Sequence, residues 1–269
     1  MPTIDHHGDR IYYEVAGRGP WVLLLHSLGG SAAMWQSTVE HLMSDFTVVA
    51  LDARGHGRST GNVTFTIEGF AADAKAVADA LGADRVSLVG LSMGGQTALR
   101  FALCWPERVA AVVAADTSAG GRGGGAERIA ATRRRIDEIG TLGFAREYTA
   151  SRLRPDTSPA VAEAFAQSVL QTLPKVYIDT FAAIAAQDLR AELPSLDVPT
   201  LVLVGADDVS TPPAVAAELR DLIAGARLEI IDDANHLANL DQPARFNAAL
   251  AGFLKRVGQG ERRSGAGDR

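Results

Sequence analysis

Cysteine is almost missing from this chain of 269 residues: Cys104 stands alone, so no intramolecular disulfide can form, and the sequence suits a reducing compartment. Flanked by Leu99, Phe101, Leu103 and Trp105 in a helix-like run, Cys104 is expected to be a buried structural thiol rather than a nucleophile. Long hydrophobic runs are missing too. No stretch approaches the roughly 18 apolar residues of a membrane span, and residues 1–10, with Asp5, His6, His7 and Asp9, lack the apolar centre of a leader. The expected setting is therefore cytoplasmic, with no membrane as partner. Positive charge is in deficit, 26 Lys and Arg against 32 Asp and Glu for a net charge of -6. No global positive field gathers phosphate backbones, so nucleic acid is excluded as an expected partner. What the chain does have is 47% hydrophobic residues, enough at this length to bury one large core.

The first residues alternate around a Gly8-Asp9 turn and continue as Ile11-Tyr12-Tyr13-Glu14-Val15, the pattern of an opening antiparallel hairpin. Short apolar runs bounded by turn residues follow at 21–25, 46–51, 86–89, 109–114, 200–204 and 228–231. Continuous apolarity, rather than alternation, is what a strand covered on both faces requires. Helical stretches lie between most of them: 67–81 behind Thr64 and Thr66 as caps, 93–105 ended by Pro106, 214–223 after Pro212-Pro213, and 246–257. This alternation predicts an α/β fold with a doubly wound, mostly parallel sheet and right-handed crossovers. Between Thr117 and Leu196 the rhythm breaks into an alanine-rich helical pattern, entered through Gly120, Gly121, Gly123, Gly124 and Gly125. It is expected to be an inserted helical cap with the glycines as a hinge, the plainer alternative being helices packed rigidly on the sheet edge. The expected organisation is a core in two parts, 1–118 and 191–258, a cap over 119–190, and a disordered tail over 259–269.

The strongest chemical signal is Gly90-Leu91-Ser92-Met93-Gly94-Gly95, directly after a predicted strand and before a predicted helix. A nucleophile on so sharp a turn needs small neighbours, and the helix that follows aims free N–H groups at the point where a negative oxygen would develop. The same letters also occur in ordinary glycine-rich turns; the strand and helix on either side favour the nucleophile. A serine hydroxyl needs a base, and histidine is suited to that task. Of six histidines, His6 and His7 lie at the start, His41 in a helical stretch, His56 in a glycine-rich loop, and His26 begins the turn His26-Ser27-Leu28-Gly29-Gly30, assigned to an oxyanion hole. His236 follows the last strand, and loops at the carboxyl ends of strands share one face, so it is the histidine placed to meet Ser92. The orienting carboxylate is expected after the intervening strand, in Asp207-Asp208. Either one fits, with the other free to cap the next helix.

These segments resemble the α/β-hydrolase superfamily over nearly all of residues 11–257. His26-Ser27-Leu28-Gly29 resembles the H-G-x-G oxyanion turn, with Ser27 in place of the usual glycine. The resemblance implies that the backbone N–H of Leu28 joins that of Met93 in holding an oxyanion. Leu51-Asp52-Ala53-Arg54-Gly55-His56-Gly57-Arg58-Ser59 is similar to the D-x-R-G-x-G-x-S loop, a structural turn in that superfamily. Gly205-Ala206-Asp207-Asp208 with Pro212 is similar to G-x-x-D-x-x-x-P, a register that selects Asp208, and the order Ser92, Asp208, His236 is the one this architecture uses. A narrower resemblance, to 3-oxoadipate enol-lactonases, runs through the His26 turn, Gly90 to Gly95, Asp208-Val209-Ser210-Thr211-Pro212-Pro213 and His236-Leu237-Ala238-Asn239-Leu240-Asp241-Gln242-Pro243. It covers the core and not the cap, where substrate choice is expected to reside.

The implied activity is hydrolysis of a small carboxylic ester or lactone, an enol-lactone among them, through an acyl-serine intermediate that uses no metal and no organic cofactor. The expected partner is that small molecule alone, and the oligomeric state is left open. A cofactor-free perhydrolase or haloperoxidase-like enzyme, a carbon-carbon bond hydrolase, and a non-catalytic ligand receptor of the same fold are the competing readings. Ser92 sets aside members that use a carboxylate nucleophile. In the cap, Arg133 falls on the helical face of Ile129 and Ile136, and is expected either to pair with a substrate carboxylate or to snorkel at the rim.

Overall fold

The computed structural model describes residues 2–62, 64–120 and 125–264, with side chains through 259. Strands β1 (Thr3–His6) and β2 (Asp9–Gly17) form the expected hairpin. Its turn residues His7 and Gly8 both take positive φ, 51° and 85°, which matches the twist of two paired strands. Six more strands follow: β3 (Trp21–Leu25), β4 (Thr47–Leu51), β5 (Val86–Leu91), β6 (Val109–Ala115), β7 (Thr200–Gly205) and β8 (Arg227–Ile231). The sheet runs in the order β1-β2-β4-β3-β5-β6-β7-β8, with β1 and β2 antiparallel and every pair from β4 to β8 parallel. The chain thus enters at one edge with β1 and β2, and from β3, near the middle, the parallel strands extend outward in both directions.

Alternate residues of the same apolar runs serve opposite faces. Val22, Leu24, Val89, Leu91, Val113 and Leu203 enter one core with residues of helices α1 (Gln36–Leu42) and α9 (Pro243–Ser264). Leu23, Leu25, Leu88, Val112, Val202 and Val204 enter the other, under α2 (Ile67–Ala80), α3 (Met93–Cys104) and α7 (Pro213–Leu222). Two covered faces are why these strands read as unbroken hydrophobic segments. β8 departs from that expectation: it is the sheet edge, pairs only with β7, and leaves Ile230 47% exposed. Cys104 departs as well. As the last residue of α3 it lies beyond the packed Leu99-Phe101-Ala102 face and is exposed. Thr66, not Thr64, caps α2, its hydroxyl accepting the Gly69 N–H at 2.9 Å.

Between β6 and β7 come three helices, α4 (Gly125–Arg152), α5 (Pro159–Gln171) and α6 (Pro174–Ala186), with only an isolated bridge between Gly120 and Asp188. α4 is two helical pieces joined at Gly140, whose φ of 72° breaks the α conformation. Of the glycine cluster, Gly121, Gly123 and Gly124 lie outside the described residues. A short α8 (Ala238–Asp241) precedes α9, which continues to Ser264, past the point where a tail was expected to begin. Gln259, Glu261, Arg262 and Arg263 are good helix formers, so the helix continues beyond Val257, which packs against the core. Residues 265–269 lie outside the described residues. No described helix is long and apolar enough to cross a membrane.

The first turn of α3 is pressed against the end of β3. A Cβ on Gly94 would lie 2.0 Å from the Leu25 carbonyl oxygen and 2.8 Å from that of His26. Gly94→Ala should therefore lower stability by about 1–3 kcal/mol through overpacking. A fall in the urea midpoint at constant m-value is the expected readout, and a variant as stable as wild type would show that the two backbones are not held together as described.

Candidate active site

Ser92 sits between β5 and α3 with φ 56° and ψ -111°, a conformation costly for any residue with a Cβ. Its backbone is fixed on three sides: its N–H donates to Ala115 at 2.9 Å, and its carbonyl accepts the Gln96 N–H at 3.1 Å and the Thr117 hydroxyl at 2.7 Å. The side chain is thereby pushed out at the carboxyl end of the sheet. There its Oγ lies 3.0 Å from His236 Nε2, while His236 Nδ1 lies 2.9 Å from Asp208 Oδ2. Asp208 is a pure acceptor, so Nδ1 carries the proton and Nε2 is free to accept from the serine hydroxyl.

Asp208 also accepts the N–H groups of Ser210 and Thr211 on Oδ1, at 2.7 and 3.0 Å, and the Thr211 hydroxyl on Oδ2 at 2.7 Å. Burial pushes its carboxyl up, but the bonds from His236 and Thr211 outweigh burial and hold it at about 2. The charge that faces the imidazole therefore persists through the neutral range. Its contribution to stability is complete above the ordinary value of 3.8 and is lost as pH falls through about 2. Asp207 points the other way, half exposed and paired with Arg154. It does not cap α7, whose N-cap position is Pro212.

Leu28 lines the same pocket as Ser92 and His236. Among the described residues, neither its backbone N–H nor that of Met93 donates to a protein acceptor. The turn that carries Leu28 is shaped by His26, which is buried. His26 Nε2 accepts the Ala53 N–H at 2.9 Å, leaving Nδ1 to donate to the Ser27 carbonyl at 2.7 Å. Burial lowers its pKa, and burial beside His26 pushes His56 down to about 3. Both are neutral structural groups. His6 instead meets Asp73 at 2.7 Å, far from the pocket.

The pocket over the three residues encloses about 470 Å3. Its roof comes from α4 and α6: Phe144, Tyr148 and Tyr177 pack edge to face or stacked, and Tyr148 donates to the Leu28 carbonyl at 3.4 Å. Arg133 takes no part in it. The stripe of α4 that faces the pocket is Arg128, Ala131, Thr132 and Arg135, while Arg133 is exposed on another side. A helical wheel fixes the relative phase of residues, not which side of the helix meets the site. Arg135 is already bound by Glu147 and Glu138. Arg152, at the end of α4, lines the pocket together with Ser92 and His236. It lies 4.8 Å from the Tyr148 ring centre and bonds to the Ser210 hydroxyl, while its buried Nε has no partner. Burial works against its charge, but Tyr148, Tyr177 and Asp208 favour it and the net shift is upward. No described carboxylate forms an ion pair with it. Sequence patterning gave no hint of this residue, because the kink and the fold decide where the end of α4 lies.

Residues 20–243 match the family described as alpha/beta hydrolase fold. The chain belongs to that family. Among its relatives, 3-oxoadipate enol-lactonase 2 of Acinetobacter baylyi is 30% identical over 241 residues, covering 88% of this chain and 89% of that one. The enol-lactonase from Burkholderia xenovorans LB400 superimposes with a TM-score of 0.87 at 30% identity, over 94% of this chain and all of that one (100%). A thermophilic esterase from Thermogutta terrifontis, solved with malate bound, gives a TM-score of 0.87 at 30% identity over 95% and 97% of the two chains. The expected superfamily and fold class are thereby shown, and the relatives are hydrolases.

The two adjacent aspartates make the geometry testable. Asp208→Asn should lower kcat on an activated ester by about 10^3- to 10^4-fold, because the amide favours the wrong imidazole tautomer, whereas Asp207→Asn should stay within about threefold of wild type. Steady-state kinetics on both variants decides it, and equal losses would refute the distinction.

Proposed function

We propose that the protein hydrolyses a small carboxylic ester or lactone through an acyl-serine intermediate. The observation that carries this reading is the unbroken line from Asp208 through His236 to Ser92, with Ser92 and His236 lining a pocket. In the first step Ser92 Oγ attacks the carbonyl carbon while His236 Nε2 takes its proton, and Asp208 stabilises the imidazolium. The N–H groups of Leu28 and Met93 hold the oxyanion. Collapse breaks the bond to the departing oxygen, which receives the proton from His236. A water, deprotonated by the same nitrogen, then attacks the acyl carbon and frees Ser92. For a lactone, departing oxygen and acyl group belong to one molecule, and the product is an open hydroxy or oxo acid. The inserted helices serve as a cap whose aromatic side chains shape the acyl site. Enol-lactonases among the relatives support the lactone side of this reading.

Arg152 favours a substrate that bears a carboxylate. A guanidinium that lines the pocket in an aromatic corner, with no described carboxylate paired to it, offers a charge-assisted bond that a neutral ester cannot use. The related esterase was solved with malate, a dicarboxylate, bound.

Ser92→Ala should reduce turnover by about 10^4-fold or more and abolish the acylated species seen by intact-protein mass measurement. Turnover equal to wild type in that variant would remove the mechanism. Arg152→Met should cut kcat/KM about 10- to 100-fold for a carboxylate-bearing lactone and far less for its methyl ester, with Arg133→Met near wild type on both. A uniform loss on the two substrates would mean that Arg152 balances Asp208 and reads no substrate charge.

A further inference from the structure

Two buried or half-buried carboxyl groups that the reaction does not consume lie on either side of the triad. Asp116 follows β6, is wholly buried, and holds a positive φ of 44°. Its Oδ1 accepts the Gly205 N–H at 2.8 Å and its Oδ2 the Ala238 N–H at 3.4 Å. Gly205 is the root of the loop that carries Asp208, and Ala238 stands two residues beyond His236. Asp241, in α8, accepts the Asn235 N–H on Oδ2 at 2.8 Å; Asn235 immediately precedes His236. Asp241 Oδ1 accepts the Arg154 N–H at 3.2 Å and the Thr157 hydroxyl, both from the chain just after α4.

A buried carboxyl beside another carboxyl is expensive. Burial, and then Asp208, push the Asp116 pKa well above its ordinary value, and Asp241 adds to the effect. Asparagine would avoid that cost, but an amide offers one acceptor oxygen and would turn an NH2 group towards a second N–H. Both aspartates use both oxygens as acceptors, which only a carboxyl can do. The loops they hold are also in direct contact: a Cβ on Gly205 would lie 2.3 Å from the Asn235 carbonyl oxygen. A small slip of either loop therefore changes the distance between imidazole and carboxylate.

We propose that Asp116 and Asp241 are positioning residues for the reaction proposed above, on which this inference rests. Asp116 fixes the loop of Asp208, and Asp241 fixes the loop of His236 and ties it to the end of α4. Neither lines the pocket, so their effect is on geometry at the reacting atoms and not on substrate binding.

The test uses Asp116→Ala, Asp116→Asn, Asp241→Ala and Asp241→Asn in the full chain. Turnover of an activated ester is expressed per titratable Ser92, so that unfolded protein does not count. Each Ala variant is expected to lose about 10- to 100-fold in kcat with KM within about twofold, and each Asn variant to recover part of the loss. Hydrogen exchange gives a readout independent of activity. The Gly205 amide should exchange at least about tenfold faster in Asp116→Ala, and the Asn235 amide likewise in Asp241→Ala. Wild-type kcat per titrated site, or a change confined to KM, would overturn the proposal; so would unchanged exchange at both amides. Should Ser92→Ala turn over substrate like wild type, the hydrolase reading fails, while the exchange rates still report on whether the two carboxyls hold the loops.

Discussion

The approach of α3 to the sheet is the constraint on which the rest of the site depends. Gly90 and Gly94 leave so little room that β5, the end of β3 and the first turn of α3 touch through backbone atoms. Only that closeness lets Ser92 hold a left-handed conformation with its hydroxyl outward, and brings the turn of Leu28 beside the free N–H groups of α3. The strain at Ser92 is small compared with the two apolar cores that enforce it, each built from alternate residues of the same strands. Backbone packing and hydrogen bonding therefore hold Ser92 in place independently of its side chain.

Charge is arranged with a second kind of economy. Asp208 meets the imidazole of His236, Asp116 lies close enough to Asp208 and Asp241 to feel both charges, and Arg152 is the cation that feels Asp208. Such a concentration of carboxyls is unfavourable in itself, yet each is satisfied by donors: Asp116 by the Gly205 N–H, Asp208 by its own loop and by His236, and Asp241 by the Asn235 N–H. The donors come from loops after β7 and β8 and from the end of α4, so the acidic cluster doubles as the junction of three parts of the chain.

Much of this was legible in the sequence, for physical reasons that differ by element. Strand β3 could be read to the residue because both of its faces are covered, whereas β8, at an edge, begins one residue before the run read at 228–231 and shows Glu229 and Ile230 to solvent. Ser92 and His236 were legible because each lies in a local motif tied to a strand end. Asp208 needed the register of its loop, since composition alone could not separate it from Asp207. Arg152, Asp116 and Asp241 were not legible. Their meaning comes from partners dozens of residues away, or, for Arg152, from how a helix broken at Gly140 lands on the pocket. Cys104 failed for the converse reason: its neighbours are apolar, but it terminates its helix on the outer side.

The segment after α4 bears on how such proteins exchange parts. Arg152 offers its carbonyl to the Leu237 N–H, Leu153 its own to the Asn235 side chain, Arg154 its guanidinium to Asp207, and Thr157 its hydroxyl to Asp241. The inserted helices are therefore not a detachable module resting on a finished floor; four residues of the insertion are stitched into the loops around Asp207 and His236. A chimaera that grafts a foreign cap between β6 and β7 inherits this seam, and keeps the histidine loop in place only if residues 152–157 stay with the recipient.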